Sequence, residues 1–107
     1  MNAELHVENG AQAGRAIAVS QDKFLIGREK DCHFRPDSEL VSRHHCVLRQ
    51  DEYTLRVRDM GSRNGTYVNG RRIQGEVVLA DEDTLLVGDV TLKVVLTAHS
   101  VSQATTP

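Results

Sequence analysis

Three short stretches concentrate polar groups that a strand core has no use for: Gly27-Arg28, Val41-Ser42-Arg43-His44-His45 and Gly61-Ser62-Arg63-Asn64-Gly65-Thr66. Arg offers a planar fork of N–H donors that matches carboxylate or phosphate oxygens, Ser adds a hydroxyl and Asn an amide. If the three stretches meet at one end of the fold, these donors converge on a point, and what they can do there is hold an anion. The charge distribution agrees: residues 1–27 carry −1, residues 28–72 carry +3 and residues 73–107 carry −4, within a total of −2. A total this close to neutral argues against a protein that coats nucleic acid through bulk positive charge.

Two other chemistries are weaker on spacing. Cys32, His33, His44, His45 and Cys46 offer thiolate and imidazole, the ligands zinc prefers. Successive strand residues point to opposite faces, so the run 44–46 presents only alternate members to one ion, and there is no Cys-x-x-Cys. No metal and no cofactor is expected. Ser42, His45 and Asp59 have the residue types of a nucleophile, a base and its orienter. Yet there is no nucleophile elbow and no Gly-rich strand-to-helix loop, and the chain is expected not to be an enzyme. Cys32 and Cys46 are expected to be free thiols in a reducing compartment.

The elements that must position the polar stretches read as β throughout. Apolar residues recur with period two and no segment carries a helical stripe. Leu5 and Val7 alternate, as do Ile17 and Val19, and Lys23 to Gly27 is a compact apolar run. His45 to Gln50 and Thr54 to Asp59 flank a turn, with Leu55 and Val57 on one face and Arg56 and Arg58 on the other. Asn64-Gly65 and Asn69-Gly70 are type I′ turn signals, since both central residues of that turn need positive φ. Thr66-Tyr67-Val68 leads into the second and Arg71-Arg72-Ile73 leaves it. Thr84 to Val87, the Gly88-Asp89 turn and Val90 to Leu96 form a closing hairpin.

Many short strands with frequent turns specify a sandwich or barrel, and 107 residues suit one domain. The reading is a sandwich over 1–97 and a flexible Ser/Thr-rich tail or linker over 98–107. No apolar run approaches the ~20 residues that cross a bilayer, and Met1 to Gly10 lacks the regions of a signal peptide. The expectation is a cytoplasmic protein with no membrane and no nucleic-acid partner.

Gly27-Arg28, then Ser42-Arg43 with His45 two residues on, then Asn64-Gly65 with Asn69-Gly70, resembles the forkhead-associated (FHA) domain. The resemblance runs from about Leu5 to Leu96 and takes in Asp59-Met60-Gly61-Ser62 and Gly88-Asp89. It implies an all-β, SMAD/FHA-like antiparallel β-sandwich of about eleven short strands that reads phosphothreonine in an extended peptide through loops at one end. It also implies that Arg28 and Ser42 contact the phosphate and Asn64 holds the peptide backbone, with Arg43 and Arg63 in supporting contacts. Position 63 is often Thr in the family, so Arg63 exchanges a small hydroxyl for a charge. Gly27, His45, Gly65, Asn69 and Gly70 are implied as the structural support of the loops, His45 by hydrogen bonding.

The partner so implied is a threonine-phosphorylated protein or peptide, a Ser/Thr kinase or its substrate among them. Phosphothreonine brings about −1.5 to −2 charge and three acceptor oxygens, which Arg and Ser donors suit. Three or four charged hydrogen bonds at roughly 1.5 to 3 kcal/mol each, set against the cost of association, imply roughly micromolar affinity. The alternative is an FHA-like scaffold that binds a partner independently of phosphate through a sandwich face. Thr105 and Thr106 in the tail are candidate phosphorylation sites for self-recognition.

Overall fold

The computed structural model describes residues 1–97; the tail assigned to 98–107, with its two threonines, lies outside the described residues. Ten strands follow one another: β1 Asn2–Val7, β2 Ala16–Ala18, β3 Lys23–Ile26, β4 Cys46–Gln50, β5 Leu55–Asp59, β6 Thr66–Val68, β7 Arg71–Arg72, β8 Glu76–Leu79, β9 Thr84–Val87 and β10 Val90–Thr97. They form a six-stranded sheet in the order β2-β1-β10-β9-β6-β7 and a four-stranded sheet in the order β3-β4-β5-β8. Every pairing within the sheets is antiparallel.

Period-two alternation sorts each strand into an inner and an outer face. Ala3, Leu5 and Val7 on β1 and Val90, Leu92 and Val94 on β10 turn inward. They meet Phe24 and Ile26, Cys46 and Leu48, and Leu55 and Val57 from the other sheet. Each such side chain contributes roughly 1.5–3 kcal/mol on burial. A core of this size needs no covalent staple, and Cys32 and Cys46 are both free thiols and both buried.

The count of ten among the described residues is one short of the eleven the sequence suggested. β8 was not foreseen, because Glu76-Val77-Val78-Leu79 carries little alternation of its own; it forms by pairing with β5 at the sheet edge. The two Asn-Gly pairs also part company. Asn69 and Gly70 have φ of 52° and 84°, as a type I′ turn requires. At the other pair only Gly65 is positive, at 84°, so Asn64-Gly65 is not a hairpin tip.

Asn69 ties its hairpin to the strand beside it. Its amide nitrogen donates to Asp83 Oδ1 and its Oδ1 accepts from the Thr84 N–H, each at 2.9 Å. Asn69→Ala loses both bonds and places a Cβ residue without local hydrogen bonding at positive φ, and should cost about 2–3 kcal/mol. Asn69→Gly keeps the backbone and should cost about 1 kcal/mol less; urea denaturation of the two variants measures the difference.

Candidate functional site

The polar stretches do meet, through backbone contacts at the ends of β3, β4 and β5. Beyond Ile26 the chain runs against residues 41–43: Arg28 N–H donates to Ser42 O and Glu29 N–H to Arg43 O, both at 3.1 Å. Gly27 makes this approach possible, since a Cβ there would lie 2.1 Å from the Arg43 carbonyl oxygen. Its backbone is not in the positive-φ region, so close approach alone demands the glycine. On the other flank, Asn64 Nδ2 donates to Leu40 O at 2.8 Å and Arg63 N–H donates to Ser42 Oγ at 3.0 Å. Residues 40–42 thus form a ledge gripped from both sides.

Two buried or half-buried groups hold the ledge in place. His45, fully buried, accepts the Ser42 N–H at Nδ1 (3.0 Å), and its Nε2 meets Gly65 O at 2.8 Å. A carbonyl only accepts, so these partners assign the proton to Nε2. Asp59 organises the segment that follows β5: its carboxylate accepts from the Ser62 N–H, the Ser62 hydroxyl and the Thr66 hydroxyl. Ser62 Oγ in turn accepts the Gly65 N–H at 2.9 Å. Burial pushes the Asp59 carboxyl up, but the bonds from Ser62 and Thr66 outweigh it and hold the group below its ordinary value.

What these braces leave free defines the site. Arg28 spends Nε on Val41 O, and its terminal nitrogens have no partner among the described residues. The Ser42 hydroxyl oxygen is occupied by the Arg63 N–H, which leaves its proton to give away. Asn64 Oδ1 accepts nothing among the described residues, and Arg43 and Arg63 are exposed without an ion pair. A concavity of about 740 Å³ opens beside Arg28, lined by Arg35 and Gln12 and also by the acids Asp37 and Glu39. A larger one, about 850 Å³, lies at the opposite ends of the strands, lined by four acids, Glu4, Asp22, Asp51 and Glu52, and by no Lys or Arg.

The rival chemistries do not assemble. Both His45 nitrogens are spent on backbone, so no base faces the Ser42 hydroxyl, and Asp59 bonds Ser62 and Thr66. Of the five thiol and imidazole groups, His33 accepts the Leu25 N–H and Cys46 is buried, its thiol pushed up to about 12 by that burial. Only Cys32 and His44 approach one another, with Asp31 as a third group, their ligand atoms within 4.8 Å. Burial and the Asp31 charge raise the Cys32 thiol, which opposes the thiolate a metal needs. His44 is already paired with Asp31 at 2.9 Å.

Of the loop-support residues, Gly27, His45 and Gly65 act at the ledge, whereas Asn69 and Gly70 shape the neighbouring hairpin. Sequence reasoning gave no bracing role to Asp59, Ser62 and Thr66. The signal was the Asp-x-x-Ser spacing around Gly61, which lets a carboxylate cap the N–H three residues on. The accepting carbonyls of Leu40 and Val41 carry no side-chain signal at all.

A two-sheet antiparallel sandwich presenting Arg, Ser and Asn from loops at one end defines a class of domain that holds anionic peptide groups. Comparison with known proteins makes this particular: residues 24–88 match the family model of the FHA domain, and the chain belongs to that family. It is 36% identical over 87 residues to the oxoglutarate dehydrogenase inhibitor of Corynebacterium jeikeium, covering 81% of this chain and 60% of that relative. The chain therefore spans about three-fifths of the relative's length. Among solved structures, an FHA domain studied for phosphothreonine-dependent interactions superposes with a TM-score of 0.85 at 30% identity, covering 92% of this chain and all of the other. Mycobacterium tuberculosis EmbR, solved with a low-affinity phosphopeptide, gives 0.83 at 31% identity, over 92% of this chain and 25% of its own.

His45→Phe leaves the Ser42 N–H and the Gly65 carbonyl buried without partners and should cost about 2–6 kcal/mol in denaturant unfolding. Asp59 gives a pH dependence with a definite sign. Its folded pKa lies below its ordinary 3.8, so the unfolded chain binds the proton more readily. Its stabilisation is full above about pH 5 and is lost as pH falls through the depressed folded value. Asp59→Asn should lose about 2–4 kcal/mol at neutral pH, and its gap to the wild type should close as melting is followed below about pH 4.

Proposed function

We propose that this FHA domain docks threonine-phosphorylated proteins in Ser/Thr kinase signalling and catalyses nothing itself. The observation that carries the reading is the ledge at residues 40–42, where Arg28 and Ser42 keep donor protons free beside one another in the chain's hydrogen-bond network. In this reading Arg28 gives a charge-assisted pair of bonds to the phosphate and Ser42 gives its hydroxyl proton. Asn64 accepts a peptide N–H at Oδ1 while its amide nitrogen stays on Leu40 O. Arg43 and Arg63 add positive potential at the rim, where they strengthen encounter more than final affinity.

The related structures support the ligand class, one coming from work on phosphothreonine-dependent interactions and one holding a phosphopeptide. The non-catalytic role is supported by His45 spending both nitrogens on backbone. Among the described residues no helix is long and apolar enough to cross a membrane. We place the action in the cytoplasm, with a kinase or its substrate as the phosphorylated partner.

Calorimetric titration with phosphothreonine, phosphoserine and unphosphorylated peptide libraries tests this. Roughly micromolar binding of the phosphothreonine set alone is the expected outcome. Arg28→Ala should weaken it by about 2–3 kcal/mol, or roughly 30-fold or more. Binding that ignores the phosphate, or an Arg28→Ala variant with wild-type affinity, overturns the assignment.

A further inference from the structure

The outward face of the four-stranded sheet carries a charge pattern that the phosphate site does not use. Lys23 on β3 stands directly opposite Arg49 on β4, and Arg49 directly opposite Arg56 on β5. Like charges facing one another across strands destabilise a sheet. Three cations in one row therefore work against the fold. The next row, one pleat nearer the phosphate loops, is Leu25, Val47, Arg58 and, on the edge strand, Glu76 opposite Arg58. On the edge strand, Val78 stands opposite Arg56 and is 60% exposed.

Local acids compensate only one of these cations. Arg56 reaches Glu76 at 3.3 Å and Asp51 at 3.8 Å, while Lys23, Arg49 and Arg58 have no ion pair among the described residues. The Arg56 Nε is moreover a buried donor without a partner among the described residues. What remains is three cations without an ion pair, Arg58 with Glu76 directly opposite, beside half-buried Leu25 and exposed Val78, while Val47 between them is buried.

We propose that this face is a second docking surface, for an acidic polypeptide segment, held by Lys23, Arg49 and Arg58 beside Leu25 and Val78. Charge complementarity selects an acid, and the accessible apolar side chains of Leu25 and Val78 select a polypeptide, whose alternate side chains can meet them, over a nucleic-acid backbone. The total charge of −2 also disfavours a polyanion as large as duplex DNA. The inference does not rest on phosphothreonine recognition. The two surfaces adjoin, because β3 runs into Gly27 and Arg58 precedes Asp59, so one partner can occupy both.

The test uses a labelled peptide of ten alternating Glu and Leu residues without phosphate, and a phosphothreonine peptide with and without that sequence appended at either end. The acidic peptide should bind the whole chain in low salt and weaken steeply as salt rises, with amide shifts in NMR spectra centred on Leu25, Val47 and Arg58. Arg49→Glu with Lys23→Glu should reduce that binding at least tenfold and leave affinity for the short phosphothreonine peptide within twofold. The double reversal exchanges one like-charge pair, 23 with 49, for another and makes the pair 49 with 56 opposite in sign, so the variant should keep about the heat stability of the wild type, and Arg49→Gln serves as a neutral check on folding. In the wild type, one of the two appended peptides should bind at least fivefold tighter than the short one. Acidic-peptide binding unchanged by the reversals, shifts confined to residues 40–42 and 63–65, or tighter binding of a 12-base-pair DNA duplex at this face overturns the proposal. Failure of every phosphothreonine peptide alongside success of the acidic one would reject the phosphate reading and leave this surface standing.

Discussion

One buried imidazole joins the two halves of the binding end. His45 accepts an N–H from the ledge at Ser42 and gives its own proton to the carbonyl of Gly65, and both bonds run through a region that water does not reach. A buried polar group left unmet costs more than a met one gains, so loss of the imidazole is penalised beyond the worth of its two bonds. These bonds, with those from Arg63 N–H to Ser42 Oγ and from Asn64 Nδ2 to Leu40 O, tie residues 40–42 to residues 63–65. Arg28, Ser42 and Asn64 then take their directions from backbone partners already in place.

The site is consequently assembled from main chain as much as from side chains. Val41 O aims Arg28, Leu40 O aims Asn64, and the Arg63 N–H sets the orientation of the Ser42 hydroxyl. Each of these three groups gives one bonding position to the protein and leaves another unspent among the described residues. Asp59 serves the same end from below, converting the chain reversal after β5 into a rigid shelf through Ser62 and Thr66. The net positive middle third of the chain thus becomes a local field with fixed geometry, although the molecule as a whole is slightly acidic.

Much of this was legible in the sequence, and the gaps have physical reasons. Strands with a strict alternation, such as β5 and β10, announce themselves because each must bury one face. β8 does not, because its stability comes from a neighbour distant in the chain, as the pairing of Arg56 with Val78 illustrates. Arg28, Ser42 and Asn64 could be named because their order and spacing resemble a family. That resemblance does not describe the carbonyls that aim them. Asn64-Gly65 carries a type I′ turn signal because the dipeptide suits one, but with the Gly65 N–H on Ser62 Oγ and its carbonyl on His45 only Gly65 takes positive φ. Composition lists the groups a chain owns, whereas hydrogen bonding decides which of them are already spent, as both nitrogens of His45 illustrate.

The Ser42 hydroxyl, with its oxygen engaged by the Arg63 N–H, has a further consequence in time. A rotor already fixed before a ligand arrives surrenders little entropy on capture, and the loops that carry it need no rearrangement. Under the proposed function, encounter proceeds at a rate set by diffusion and steering, and the micromolar complex expected there would dissociate within a fraction of a second. A domain of this kind samples its partners continuously, and its occupancy follows the phosphorylation level of the moment with no memory of earlier states.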